Sequence, residues 1–412
     1  MRKLNYLMFP ILLLSGFVFV FNVASAIDFT RISVSNGGVE GNNDSRFFGG
    51  SNDISPDGRY IVFTSNASNL VEGDENGVSD IFLYDNINKQ IERISLDPEG
   101  QEFSVPSLFP SVSADGRYVA FSTLVNEGED DGTIMYLRDR QENETVLISA
   151  DGEGAPLTGL GAYYLSSISE DGSGVIFSPT LMDGPGYVLA YNIEERELYN
   201  AGSYPFYWAN FANASGNTSK GVLGSLAPIL EEDLNDAPDI YVAEGDWSNL
   251  EQVDFKLVSL TPEGQQFENS IILYPSISSD GRYVAFTVFS QSDFENGTPH
   301  IYLRDLESNT TTEIAYAGEG GLDAGWYMPV VSGDGKFVVL SSVGVMAPSA
   351  PVYIWSSETG EVSTLNAGSE NYLASISSNG RYIIFSSESN DLVTNDTNDS
   401  LDAFLVQNPL YK

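Results

Sequence analysis

Cysteine is absent from the 412 residues, which excludes disulfides, thiolate metal sites and cysteine nucleophiles. Histidine occurs once, at His300. Multi-histidine metal sites are therefore impossible, and a Ser-His-Asp triad would have to use that one residue. No G-x-S-x-G stretch is present. His300 reads as a surface residue at a strand end, with a lone general base as the alternative. Basic residues are scarce as well: 18 Lys and Arg against 58 Asp and Glu leave a net charge of −40. Nucleic acid and anionic surfaces repel such a chain, whereas inorganic cations and basic partners are admitted. Beyond residue 26 no run is apolar enough to cross a membrane. No segment carries helical periodicity of ordinary length.

The one long apolar run is at the start. Arg2 and Lys3 precede an apolar stretch from Leu7 to Phe21, and "ASA" at 24–26 places small residues before Ile27. That layout predicts a signal peptide over 1–26 and a mature chain over 27–412. A secreted or periplasmic protein is expected, with no stable membrane insertion after cleavage. Without disulfides, its stability must come from a large core, which a chain of this length can bury.

One unit then repeats: "DISPDGRYIVFTS" (53–65), "SVSADGRYVAFST" (111–123), "SSISEDGSGVIFSP" (166–179), "SISSDGRYVAFTV" (276–288), "VVSGDGKFVVLSS" (330–342) and "SISSNGRYIIFSS" (375–387). A worn copy, "NTSKGVLGS" (217–225), makes seven. Asp-Gly between apolar runs predicts a hairpin with a primed turn. Each unit continues with a third strand such as "DIFLYD" (80–85) and, in several, a fourth such as "ERIS" (92–95). Four antiparallel strands repeated seven times predict an all-β fold, a single seven-bladed β-propeller. The seventh unit stops after its third strand, "DAFLVQ" (402–407), while residues 27–35 contain a displaced fourth strand, "DFTRISVS". Pairing the N-terminal strand with the C-terminal blade would close the ring.

The run S-x-D-G-R-Y followed by "DENGVSDIFLYD" (74–85) resembles the PD40, or TolB-like, family of extracytoplasmic propellers, over essentially all of the mature chain. The resemblance implies the architecture and is poor for activity, since peptidase propeller domains and pectin-fragment lyases carry such repeats too. TolB has an N-terminal domain before a six-bladed propeller, so a Tol–Pal role is not implied for seven blades that begin just after the signal peptide.

Two constellations remain. Asp-x-Asn-x-x-x-Asp occurs three times between second and third strands: Asp74, Asn76, Asp80; Asp233, Asn235, Asp239; and Asp396, Asn398, Asp402. Alternating oxygens suit a hard cation such as calcium. The spacing is not an EF-hand, because Gly77 sits at position four and Asp85 lies beyond a strand. The competing reading is an Asx turn, in which the side chain bonds backbone N–H groups two residues on. "FENGTPH" (294–300) keeps Asn296 and Gly297 without either flanking acid, which favours the turn. The second constellation is aromatic: Phe48, Phe109, Tyr164, Tyr207, Trp208, Tyr274, Trp326, Tyr327 and Tyr372 precede the Asp-Gly turns. They read either as packing between blades or as a rim that binds a ligand, with Tyr207, Trp208, Trp326 and Tyr327 the candidate contacts. No catalytic residue stands out. The expected function is a binding module for a protein or glycan, possible calcium stabilisation included; the alternative is a carboxylate-dependent polysaccharide hydrolase or lyase. Asn-x-Ser/Thr triplets at Asn66, Asn143, Asn296, Asn309 and Asn395 carry glycans only in a glycosylating secretory route.

Overall fold

A computed structural model describes residues 27–48, 52–125, 132–157, 164–179, 187–203, 220–225, 228–235, 237–245, 253–292, 294, 298–317, 322–342, 351–365, 367 and 371–412. The predicted signal peptide lies outside them. Seven antiparallel sheets follow one another around a ring, six with four strands and one with three among the described residues. Blade 1 is Ser45–Arg46, Tyr60–Ser65, Asp80–Asp85 and Gln90–Arg93; blade 2 is Ser107–Val112, Tyr118–Val125, Gly132–Asp139 and Glu144–Leu147; blade 3 is Tyr164–Ile168, Gly174–Pro179, Tyr187–Asn192 and Glu197–Ser203. Blade 4 is Lys220–Ser225, Asp239–Gly245 and Val253–Leu257; blade 5 is Ser270–Ile277, Tyr283–Ser290, His300–Asp305 and Thr310–Tyr316. Blade 6 is Tyr327–Val331, Phe337–Ser342, Val352–Ser356 and Val362–Leu365, and blade 7 is Asn371–Ile376, Tyr382–Ser387 and Asp402–Gln407 with one further strand. The ring closes as expected. Phe29–Arg31 adds to Asp402–Gln407 of blade 7, with Phe29 opposite Val406 and Arg31 opposite Phe404.

The repeated S-x-D-G-R-Y explains itself in blade 1. Ser55 Oγ donates to Asp57 at 2.7 Å and accepts the Tyr60 N–H, while Asp57 accepts the Arg59 N–H at 2.9 Å. The Gly58 N–H closes a four-residue turn on the Ser55 carbonyl. Only Gly58 has positive φ there (77°), and Asp57 does not. The turn is thus an ordinary one followed by a left-handed glycine, not the primed turn expected from Asp-Gly. The reason is local: the Asp57 carboxylate is engaged by the N–H two residues on, which holds Asp57 at negative φ. Arg59 then reaches the far end of the third strand and pairs with Asp85 at 2.9 Å. Arg117–Asp139 and Arg282–Asp305 repeat the pair at 2.7 Å in blades 2 and 5.

The tyrosine after that arginine joins one blade to the next. Tyr60 lies on Gly116, Tyr118 on Gly172, Tyr283 on Gly335, Phe337 on Gly380 and Tyr382 on Gly58, so that a Cβ at any of these glycines would meet the ring. Inside the blades, the second-strand phenylalanine stacks on a third-strand aromatic. Phe63–Phe82, Phe121–Tyr136, Phe286–Tyr302 and Phe385–Phe404 have centroids 6.0, 6.0, 5.8 and 5.6 Å apart. The second strands are buried on both faces, as a continuously apolar run predicts.

Gly335→Ala separates ring contact from backbone strain. Its φ is 69° and its Cβ would strike Tyr283, whereas Gly264, at φ 79°, has nothing within 4 Å. Urea unfolding is expected to show a loss of roughly 2–4 kcal/mol for Gly335→Ala and about 1 kcal/mol for Gly264→Ala. Equal losses would show that the aromatic contact contributes nothing.

Candidate binding face and its acidic loops

Each Asp-x-Asn-x-x-x-Asp loop ends on an aspartate that opens a third strand and is removed from water. Asp80, Asp239 and Asp402 are 1%, 1% and 0% exposed. One serine two residues beyond the neighbouring outer strand serves each: Ser95 and Ser33 donate to Asp80 and Asp402 at 2.5 Å, and Ser259 donates to Asp239. The same hydroxyls accept the N–H of Ile81, Ala403 and Ile240. The asparagines are turn anchors. The side-chain oxygens of Asn76, Asn235 and Asn398 accept the N–H of Val78, Ala237 and Ser400, each at 3.0 Å. Their amide nitrogens donate to the carbonyls of Phe103, Phe267 and Gly41 at 3.1, 2.9 and 2.8 Å. In this arrangement the asparagine oxygens are already engaged, which leaves the carboxylates as the groups able to meet a cation.

The three loops differ in what faces those carboxylates. In blade 1, Asp74, Asp80 and Glu102 bring oxygens within 4.8 Å of one another. Arg93 ion-pairs with Glu102 and lies 3.6 Å from Asp74. In blade 7, Arg31 Nη1 sits 2.8 Å from Glu40, 3.3 Å from Asp396 and 3.1 Å from Asp402. The two arginines are equivalent in register, Arg93 opposite Phe82 and Arg31 opposite Phe404. In blade 4 the same place, opposite Tyr241, holds Leu257. Gln266, paired with Leu260, replaces the glutamate that pairs with Leu96 or Val34 in the other two. Asp233 accepts there from the Tyr241 hydroxyl and, at 3.4 Å, from Gln266. Blade 5 exchanges the residue types: His300 stands where the aspartate stands, Glu313 where the arginine stands, and they meet at 2.6 Å.

Burial is the main influence on these acids. It pushes Asp74 up to about 6, with repulsion from Asp80 and Glu102 adding and Arg93 opposing. Asp239 is pushed up to about 7, again by burial, with Ser259 and Asn235 opposing and Asp233 adding. The arginines and glutamates were missed at the level of sequence, yet a signal existed. "RIS" followed by Glu nine residues after the arginine occurs at 31–40 and 93–102, while blade 4 reads "LVS" with Gln266.

The aromatics divide. Tyr327 is fully buried, edge-on to Tyr353 at 5.7 Å, and belongs to the core between blades 5 and 6. The ring has no face open to a ligand. Trp326 is half-buried against Phe294 and Phe289, at 4.5 and 5.7 Å. Tyr207 and Trp208 fall outside the described residues. Phe48 and Phe109 are partly exposed and lie against each other, tilted, with centroids 4.4 Å apart. Phe109 and Tyr274 hold the same place in the innermost strands of blades 2 and 5, both at φ 54° and both where the strand register slips. The acidic loops share this end of the ring, since the Ser79 carbonyl of the blade 1 loop accepts the N–H of Ser107, the first residue of the next inner strand. At the hub a narrow cavity is lined chiefly by Ile54, Val112, Ile277, Val331 and Ile376, with Glu170 its one carboxylate among the described lining residues. His300, half-buried at the start of the third strand of blade 5 and stacked on Tyr316, is not part of that lining.

Stability at low pH follows from the arginine pairs. Burial alone would raise the Asp85 carboxyl, but Arg59 and the N–H groups of Asn88 and Ile87 outweigh it and bring it from the ordinary 3.8 to about 2. A folded-state value below the unfolded one stabilises above pH 3.8 and loses that contribution as pH falls towards 2. Arg59→Gln is therefore expected to lower the melting temperature at pH 7 and to narrow its gap from wild type as pH drops from 4 to 2. A gap independent of pH would contradict the pairing.

A search of protein-family descriptions finds no match. Among curated proteins, a TolB homolog from Chlorobium chlorochromatii is 30% identical over 108 residues, 26% of this chain and 20% of that protein. The chain thus spans about a fifth of the length of the curated relative it matches. Among solved structures, the oligogalacturonate lyase from Vibrio parahaemolyticus superposes with a TM-score of 0.58 at 15% identity, over 95% of this chain and 96% of its own. An oligogalacturonate lyase in complex with manganese gives 0.59 at 13% identity, over 94% and 95%. The propeller domain of the Trilobed protease from Pyrococcus furiosus gives 0.51 at 12%, over 86% and 94%. At such identities the shared property is the fold. No helix among the described residues is long and apolar enough to cross a membrane. The chain is a seven-bladed β-propeller, 108 residues of which resemble a TolB homolog.

Proposed function

We propose that this chain is an exported binding module, secreted or periplasmic, whose protein or glycan partner docks where Phe48, Phe109 and Tyr274 crowd the inner strands. The observation that supports this most is the backbone of Phe109 and Tyr274, two bulky residues at positive φ in equivalent places. Such conformations cost roughly 1–3 kcal/mol each and persist where they serve a site. A net charge of −40 favours a neutral or basic partner and disfavours nucleic acid. Calcium enters the same reading as a stabiliser of the acidic loops that buttress this end of the ring.

The second reading, a carboxylate-dependent polysaccharide hydrolase or lyase, draws on the likeness in shape to the oligogalacturonate lyases. Against it stands the hub cavity, whose described lining offers one carboxylate, Glu170, where glycoside hydrolysis needs a pair about 5–10 Å apart.

A photo-cross-linking residue in place of Phe48, with a second variant carrying it at exposed Thr312 on the outer edge of blade 5, tests the reading in the native cell envelope. A discrete adduct from position 48 and none from 312 is expected. Adducts from 312 alone would move the site off this face. Release of unsaturated sugar from oligogalacturonate with added manganese would favour the second reading.

A further inference from the structure

Blades 1 and 7 each place an arginine near the aspartate that opens the third strand, Arg93 acting on Asp80 and Arg31 lying 3.1 Å from Asp402, and in blade 5 His300 at that place pairs with Glu313. Blade 4 breaks the scheme. Asp233 and Asp239 are 9% and 1% exposed, and no Lys, Arg or His lies within ion-pair distance of either among the described residues. Leu257 fills the arginine's place and Gln266 the glutamate's. Asp239 spends one oxygen on Ser259, while its Oδ2 is buried without a well-placed donor, between the Asn235 amide and Asp233. Two buried carboxylates with no counter-charge are costly unless one of them takes up a proton or a cation joins them.

We propose that blade 4 holds one divalent cation, calcium in preference to magnesium, between the carboxylates of Asp233 and Asp239, and that Arg93 and Arg31 fill the corresponding places in blades 1 and 7. The chemistry is that of a hard cation on oxygen ligands. Calcium accepts irregular sets completed by water, whereas magnesium demands a near-octahedral shell. The Gln266 side chain and the Tyr241 hydroxyl line the loop and are neutral, so they leave the negative charge to the metal. The surroundings are also accessible: an open depression of about 740 Å³ reaches the loop past Leu234, Asn235 and Gln266. Of the three loops expected from sequence to share one role, this assigns the metal to one. It narrows the calcium part of the reading above and is independent of the partner.

The experiment uses calcium alone with the mature chain, stripped by chelator, and reads calorimetric stoichiometry together with the melting temperature; magnesium is the control. One calcium per chain is expected, with a rise of a few degrees. Asp239→Asn should abolish both. Leu257→Arg should supply in blade 4 the guanidinium that Arg93 and Arg31 supply elsewhere, and so abolish binding while melting no lower than the calcium-free wild type. Absence of binding, binding that survives Asp239→Asn, or three ions per chain would each overturn the proposal. Because no partner is present in the assay, such a failure leaves the docking face untouched, and failure of the cross-linking test leaves this site untouched.

Discussion

The ring is held by an aromatic side chain lying on a glycine. Five times, the residue that follows the turn of one blade covers the turn glycine of the next, and the last of these, Tyr382 on Gly58, joins blade 7 to blade 1. A glycine there does two things at once: it adopts the left-handed backbone of the turn, and it lets the ring approach closer than any Cβ would allow. The arginine between them belongs to the same device. It pairs with the aspartate at the far end of the third strand, and its guanidinium lies over the ring in blades 1, 2 and 5, 4.6, 4.7 and 4.9 Å from the centroid. Blades 3 and 4 lack it. Gly174 and Lys220 occupy the ring's place, by their pairing with Asn192 and Glu244. The departure from the repeat in these two units is thus a loss of the contact between blades.

A second constraint governs the opposite end of the third strand. Opening a buried strand on an aspartate requires a local donor and a nearby positive charge. The donor is invariably a serine two residues beyond the outer strand in the three loops. The charge is variable: an arginine from the adjacent outer strand in two blades, and in blade 4 a leucine at that place, with no arginine or lysine among the described residues within ion-pair distance. The His300–Glu313 pair in blade 5 shows that the position accepts a different residue when its partner changes with it. That pair gives the single histidine of the chain a structural partner in Glu313.

Much of this was legible in the residues. Seven copies of one motif and a displaced strand at 28–35 specify the propeller and its closure, because a strand without a partner at each end of the chain has one economical solution. The turn type was misjudged, since Asp-Gly signals a primed turn only when the aspartate is free to adopt positive φ. The acidic loops could be located but not ranked. Their distinguishing residues, Arg31, Glu40, Arg93, Glu102, Leu257 and Gln266, share one spacing in the sequence, but they lie apart from the loops along the chain, for blade 7 at its other end, and only the folded ring brings them to the aspartates. Tyr327 illustrates the reverse: its place before the turn resembled a rim position, but strand alternation turns its ring inward while Trp326 stays half-exposed.

The central claim is that one loop, and not three, is open to a metal. Crystals of the mature protein soaked in calcium, with anomalous diffraction collected at a long wavelength, would test it most directly. The account predicts a single anomalous peak between the carboxylates of Asp233 and Asp239, with none beside Arg93 or Arg31. Peaks in the loops of blades 1 and 7, or an empty blade 4 at saturating calcium, would contradict it.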